Sequence, residues 1–158
     1  MNTRSERSTD PAIHIPGVLN ALAHHGITHR IIPAQSPEDS RLTEWTQRTF
    51  PTVHSQVDWT RVAHHKCVEW WELEDLVLSF QKLADMLNPT TDVVVMWANA
   101  LNPCVEMRLG DVAKIAWAIF EEHETSRDVL VFSQADGWLI EMFHEGTLCF
   151  GRSGSENR

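Results

Sequence analysis

Glycine is scarce in this chain, with only 7 among 158 residues, and no Gly-rich loop of the kind that cradles phosphates occurs. The His-Glu-x-x-His and Cys-x-x-Cys motifs of metal sites are also missing, and no apolar run approaches the roughly 18 residues of a membrane span. Tyrosine is absent, whereas tryptophan occurs seven times. The sequence therefore offers no specific catalytic motif, and it places several large indoles in a small domain, as core anchors or as surface anchors for a partner.

Basic residues are few in the second half of the chain. The net charge is −9, and from Cys67 to Glu145 there are 15 acidic residues against 4 basic ones. An acidic half argues against binding DNA or RNA, whose phosphates require a basic surface, and against an anionic membrane. Such a charge fits plain solubility or a basic protein partner attracted by the field.

The three cysteines, Cys67, Cys104 and Cys149, are odd in number and far apart in sequence. No disulfide framework is evident, so we expect reduced thiols and a cytoplasmic location. The polar stretch from Met1 to Pro11 has no apolar core of a signal peptide.

The pattern predicts one α+β domain over residues 13–151, between disordered tails at 1–12 and 152–158. Its fold is expected to be an antiparallel sheet of about five strands, a meander, packed with helices in two layers. The hydrophobic periodicity predicts helices at 17–25, 36–50, 72–87 and 110–124. Strands are predicted at 27–32, 92–98, 105–109, 129–134, 138–144 and 147–150, with tight turns at Gly137 and Gly146.

Two acidic clusters are the candidate binding surface. Their usual meaning is a solvated helix end, but the first adjoins two tryptophans, and aromatic anchors ringed by carboxylates suit a protein interface. The candidate interface residues are Glu69, Trp70, Trp71, Glu72, Glu74, Asp75, Glu121, Glu122 and Glu124.

The segment 138–146 offers an alternative candidate, a catalytic or ion-binding site. Strand alternation places Glu141 on the face of Glu145, and such a pair beside His144 suits acid–base work or a divalent ion. The simpler interpretation is that a basic group or a backbone donor satisfies Glu141 and that Glu145 belongs to a turn. His64 and Cys67, three residues apart, supply only two of the three or four ligands that zinc needs, so we expect no metal and no cofactor.

The run Val-Val-Val-Met-Trp at 93–97, the turn with Pro103, and the pattern Trp-x-x-Glu-x-x-His-Glu-Gly at 138–146 resemble a known family. They resemble small immunity proteins of bacterial polymorphic toxin systems, including contact-dependent growth inhibition, over residues 92–151. The resemblance implies an acidic, cytoplasmic α+β protein that binds and neutralises a cognate toxin domain, often a nuclease. It carries over no interface residue.

Three hypotheses follow for the function. The leading one is a non-enzymatic immunity protein whose partner is a basic toxin domain. The second is a small hydrolase or metal enzyme that uses Glu141, His144 and Glu145. The third is a module that binds a peptide or small ligand in a Trp-lined groove. The oligomeric state is left open.

Overall fold

The computed structural model describes residues 15–54, 56–122 and 128–154. Its helices are α1 (Pro16–His24), α2 (Pro37–Thr49), α3 (Leu73–Ala84), α4 (Leu109–Lys114) and α5 (Ala116–Glu121). Its strands are β1 (Arg30–Ile32), β2 (Thr52–Val53), β3 (Gln56–Val57), β4 (Lys66–Glu69), β5 (Asp92–Trp97), β6 (Cys104–Arg108), β7 (Val129–Ser133), β8 (Trp138–Phe143) and β9 (Thr147–Arg152). In these residues no helix is both long enough and apolar enough to cross a membrane.

Seven of the strands form one antiparallel sheet in the order β1-β6-β5-β7-β8-β9-β4, and β2 pairs with β3 as a separate hairpin. The predicted α+β class is confirmed, with seven strands where about five were expected. The last three strands in the chain form the predicted meander, since β7 pairs with β8 and β8 with β9. The sheet order therefore brings β4, from the first half of the chain, against the C-terminal strand.

Both faces of the sheet are covered. On one face α1, α3, α4 and α5 bury the larger core, in which Phe80 packs on Phe120 at a ring-centroid distance of 5.1 Å. On the other face α2 and the segment 57–62 cover a smaller core that includes Phe50, Phe132 and Leu139. The helical layer that was expected is thus accompanied by a thinner cover on the opposite side.

Local sequence signals explain most of the element boundaries. Ser36 caps α2, because its side chain accepts a hydrogen bond from the Asp39 N–H at 3.2 Å and Pro37 occupies the first helical position. The helix predicted at 110–124 is instead two short helices, because the backbone at Ile115 leaves the helical region (φ −107°, ψ 20°). The tail predicted at 1–12 lies outside the described residues, and Arg152 belongs to β9.

The prediction of three reduced thiols is wrong for two of the cysteines. Cys67 and Cys149 stand opposite each other in the β4–β9 ladder and form a disulfide, although 82 positions separate them in the sequence. Cys104 is free and buried, and burial raises the pKa of its thiol. Sequence spacing missed the pairing because β4 itself was not predicted.

Candidate functional site

In the segment that joins β4 to α3, the neighbouring residues Trp70 and Trp71 lie in different environments. The Trp70 N–H donates to the Gly146 carbonyl at 2.9 Å, and its indole Nε1 donates to the Thr147 carbonyl at 3.1 Å. A side chain at Gly146, where φ is +110°, would have its Cβ 3.0 Å from the Trp70 carbonyl oxygen, so this close approach needs glycine. Trp70 is consequently buried in the larger core, which corrects its assignment to the interface, whereas Trp71 is 83% exposed.

Four exposed carboxylates surround Trp71 in the chain: Glu69, Glu72, Glu74 and Asp75. Glu72 and Asp75 form a capping box at the start of α3, in which each side chain accepts from the backbone N–H of the other residue. This is the role of a solvated helix end, and it also fixes where the two carboxylates stand. Within the described residues none of the four forms an ion pair.

Glu121 and Glu122 of the second acidic cluster lie at the C-terminal end of α5, which packs against α3 in the helical layer. Gln81 of α3 donates to the Ala113 carbonyl, and the Gly110 N–H donates to the Pro89 carbonyl just beyond α3. These contacts place α4 beside the C-terminal part of α3, and Phe120 of α5 packs on Phe80 of α3.

Glu121 is exposed one helical turn after Trp117, which is itself 50% exposed. Glu122 is half-buried, and Glu124 lies outside the described residues. Each acidic cluster therefore has an exposed tryptophan beside it. Leu78, one turn after Glu74 on α3, is also exposed. Sequence reasoning did not single out Trp117 or Leu78, although their positions outside the apolar stripes of their helices carried the signal.

Glu141 is buried against the smaller core, and both of its oxygens accept hydrogen bonds. Oε1 accepts from the Trp59 Nε1 at 2.9 Å, and Oε2 accepts from the Val57 N–H at 3.2 Å. Burial raises the pKa of this carboxyl, while the two donors act in the opposite direction. The expectation that a backbone donor satisfies Glu141 is confirmed, and its bonds tie the segment 57–59 to the sheet.

His144 and Glu145 follow the end of β8 and do not form a compact site with Glu141. The Asp128 Oδ1 accepts from the His144 N–H at 3.0 Å and lies 2.8 Å from its Nδ1. Glu145 is exposed in the turn, with its Oε1 4.0 Å from the His144 Nε2. The pairing of Glu141 with Glu145 on one strand face is therefore wrong, because the strand ends at Phe143.

Asp128 and Glu141 line a pocket of about 270 Å³ between α2 and the sheet. Asp128 was not a sequence candidate, since nothing in its local pattern distinguishes it. The carboxyl groups of Asp39, Asp128 and Glu141 stand in a mainly apolar wall, and both Glu141 oxygens are already bonded to protein donors.

Histidines and acids do not converge on a metal position in the described part of the chain, where no group of three or more His, Cys, Asp or Glu has suitable geometry. Cys67 is engaged in the disulfide, so it offers no thiolate to pair with His64. In comparisons with known proteins, no family model matches the chain, and no curated protein matches it.

Proposed function

We propose that this protein is a non-enzymatic binding protein of the immunity type, which docks on a basic toxin domain and neutralises it. The observation that carries the proposal is the Trp71 ring, 83% exposed and flanked by the carboxylates of Glu69, Glu72, Glu74 and Asp75. Large indoles are unfavourable in water, and an exposed one beside unpaired charge is typical of an interaction surface. We call Trp71 with these four residues the acidic Trp71 surface.

Electrostatics support a basic partner. The carboxylates of this surface have no cationic partner among residues 15–54, 56–122 and 128–154, so their field extends into solvent. The second cluster, with Glu121 one helical turn after Trp117, adds further negative charge to the helical layer. A basic nuclease domain would be accelerated towards such a surface at low salt, and carboxylates would occupy positions that substrate phosphates take in its active site.

Trp71 would supply most of the affinity. A tryptophan that becomes buried at the centre of an interface is worth about 2–4 kcal/mol on truncation to alanine, whereas a charge at the rim acts mainly on the association rate. Glu72 and Asp75, already held by the capping box, would meet the partner without losing much side-chain freedom.

The hydrolase alternative has less support. It requires Glu141, His144 and Glu145 to act together, but both Glu141 oxygens are bonded to Trp59 and Val57, and Glu145 is exposed in the turn after β8. The Trp-lined ligand module has less support too, because Trp70, Trp97 and Trp138 belong to the larger core, and Trp45 and Trp59 pack against the smaller one.

The proposal places the protein in the bacterial cytoplasm, in line with the resemblance of residues 92–151 to immunity proteins. The glutathione pool there reduces most disulfides, so the fold and the docking must persist when Cys67 and Cys149 are thiols. The proposal therefore requires that the reduced protein remains folded and still binds the toxin domain, which can be measured.

The test uses the toxin domain encoded beside this gene, purified separately, with calorimetric titration for stoichiometry and affinity and stopped-flow fluorescence for the association rate. We expect a 1:1 complex, and an association rate that falls steeply between about 50 and 300 mM salt, where the screening length shortens to a few ångströms. Trp71→Ala should weaken the complex by roughly 30-fold to 1,000-fold, equivalent to about 2–4 kcal/mol.

The matched control is Leu101→Ala, which removes another exposed apolar side chain from the turn between β5 and β6. It should leave the affinity unchanged. Equal affinities for the Trp71→Ala variant and the unaltered protein would refute the acidic Trp71 surface, and failure to bind any neighbouring toxin domain would refute the immunity function.

A further inference from the structure

The edge of the sheet at β4 offers unused backbone hydrogen-bonding groups. The backbone N–H of Trp70 points towards β9, because it donates to the Gly146 carbonyl. In an antiparallel ladder the backbone groups of every second residue point the same way, so those of Lys66 and Val68 also face β9. The N–H and C=O groups of Cys67 and Glu69 consequently point away from the sheet. Since β4 is the last strand in the sheet order, no strand among the described residues pairs with them.

A groove runs beside this edge, between β4 and α3. It has a volume of about 220 Å³ and an apolar lining from Val68, Leu83, Met86 and Leu148. Met86, which is 75% exposed, opens the groove to solvent on the α3 side.

Two lysines stand at the groove, although the surrounding half of the chain is strongly acidic. The sequence contains only three lysines, and Lys66 and Lys82 both line this groove. Neither ammonium group forms an ion pair with a residue that the structure describes. Because α3 returns along β4 from Trp70, Lys82 near its C-terminal end lies at the same end of the groove as Lys66, the start of β4.

We propose that this groove binds the C-terminal segment of a protein or peptide, which adds to β4 as an antiparallel strand. The direction of the added strand agrees with the position of the two lysines. A strand antiparallel to β4 ends beside Lys66, so its terminal carboxylate meets both ammonium groups. An apolar side chain opposite Val68 enters the groove, one or two residues before the chain end. Backbone bonds to Cys67 and Glu69 hold the segment, as in other cases of strand addition.

The groove and the acidic Trp71 surface require partners of different chemistry. That surface requires a basic partner and an exposed indole, whereas the groove requires a free carboxylate and an extended backbone. The groove proposal therefore stands independently of the immunity function.

The test measures fluorescence anisotropy with fluorescein-labelled hexapeptides that carry valine or leucine at each of the last three positions and serine or threonine elsewhere. The full-length oxidised protein is titrated. We expect saturable binding of at least one peptide with a free C-terminus, and about tenfold weaker binding of its C-terminal amide, since a charge-assisted bond is lost. Methylation of the peptide nitrogen that faces β4 should abolish binding, whereas methylation of the next nitrogen along should not.

Substitutions in the protein test whether peptide binding depends on the two lysines of the groove or only on the overall positive charge. Lys66→Gln and Lys82→Gln should each weaken binding several-fold, and Lys114→Gln, the matched change at the third lysine, should not. All three residues are exposed, and circular dichroism would check that each variant folds. The proposal is wrong if no peptide in the panel binds, if the C-terminal amides bind as tightly as the free acids, or if Lys114→Gln weakens binding as much as Lys66→Gln and Lys82→Gln do.

Discussion

Trp70 and Trp71 are adjacent in the sequence but lie in opposite environments. The Trp70 indole donates to the Thr147 carbonyl in the interior, whereas the Trp71 ring is 83% exposed. One residue thus anchors the end of β4 to the turn before β9, and its neighbour is left for solvent or a partner. This division gives each tryptophan a different expected role in stability and in binding.

The two tryptophans should therefore differ sharply when each is replaced. Trp70→Ala removes a buried indole and leaves a cavity, so it should lower the free energy of unfolding by about 3–5 kcal/mol. Trp71→Ala should change it by no more than about 0.5 kcal/mol, as for other surface substitutions. Urea unfolding followed by circular dichroism measures both, and similar losses from the two variants would contradict the assigned environments.

Glu141 should make stability depend on pH. Its pKa in the folded protein is raised by burial above the ordinary value of 4.5, so the folded state keeps a proton that the unfolded chain has already lost. The contribution of Glu141 to stability is therefore fullest below pH 4.5 and is lost as the pH rises through the folded-state pKa. The comparison is with Glu141→Gln, which cannot titrate.

The free energy of unfolding, measured in urea at several pH values above 4.5, should fall for the unaltered protein relative to Glu141→Gln as the pH rises through the folded-state pKa. Glu141→Ala should be less stable than either at low pH, because it leaves the Val57 N–H and the Trp59 Nε1 without their acceptor, at about 1–3 kcal/mol each. A difference between the unaltered protein and the Gln variant that is flat or grows with pH would contradict the burial of a titrating carboxyl.

The disulfide should stabilise the fold without being required for it. Because Cys67 and Cys149 are 82 positions apart, the crosslink restricts the unfolded chain strongly, and reduction should lower the free energy of unfolding by about 2–4 kcal/mol. The Cys67→Ala, Cys149→Ala double variant should show the same loss and no response to reductant. Alkylation and mass measurement on the protein purified without reductant provide the check: three free thiols instead of one would exclude the pairing.

Gly151 should not tolerate a side chain. An alanine Cβ there would lie 2.7 Å from Cζ3 of Trp59 and 2.9 Å from Cγ1 of Val62, both in the cover over the sheet. Gly151→Ala should therefore cost about 1–3 kcal/mol through overpacking, and it should shift the fluorescence of Trp59. Gly154→Ala, where a Cβ meets nothing within 4 Å, is the control and should be neutral. Equal stability of the two variants would show that Trp59 does not lie over β9.

Elements with a strong local signal could be predicted from the sequence. The apolar stripe of α3, the Ser36 cap of α2 and the glycines of the last two hairpins all act within a few residues, so the local pattern is sufficient for them. The side chains of β8 alternate between the two faces of the sheet, with Ile140 in the larger core and Leu139 in the smaller one, which follows from the period of two in any strand.

Elements that depend on distant partners were missed. β4 has only four residues, and its neighbour β9 begins about 80 positions later, so no local pattern identifies it. The disulfide, the buried position of Trp70 and the groove beside α3 all depend on that one pairing. Asp128 was missed in the same way, because its partner His144 lies on another segment.

By itself, the sequence determined the α+β class, the uneven negative charge and the position of most helices and hairpins, because these follow from composition and short-range periodicity. Only the tertiary structure decided which tryptophan is exposed, which cysteines are joined and which strand edge is free. Those properties arise from the pairing of β4 with β9, and such a contact between remote segments is selected by packing of the whole sheet rather than by any local preference.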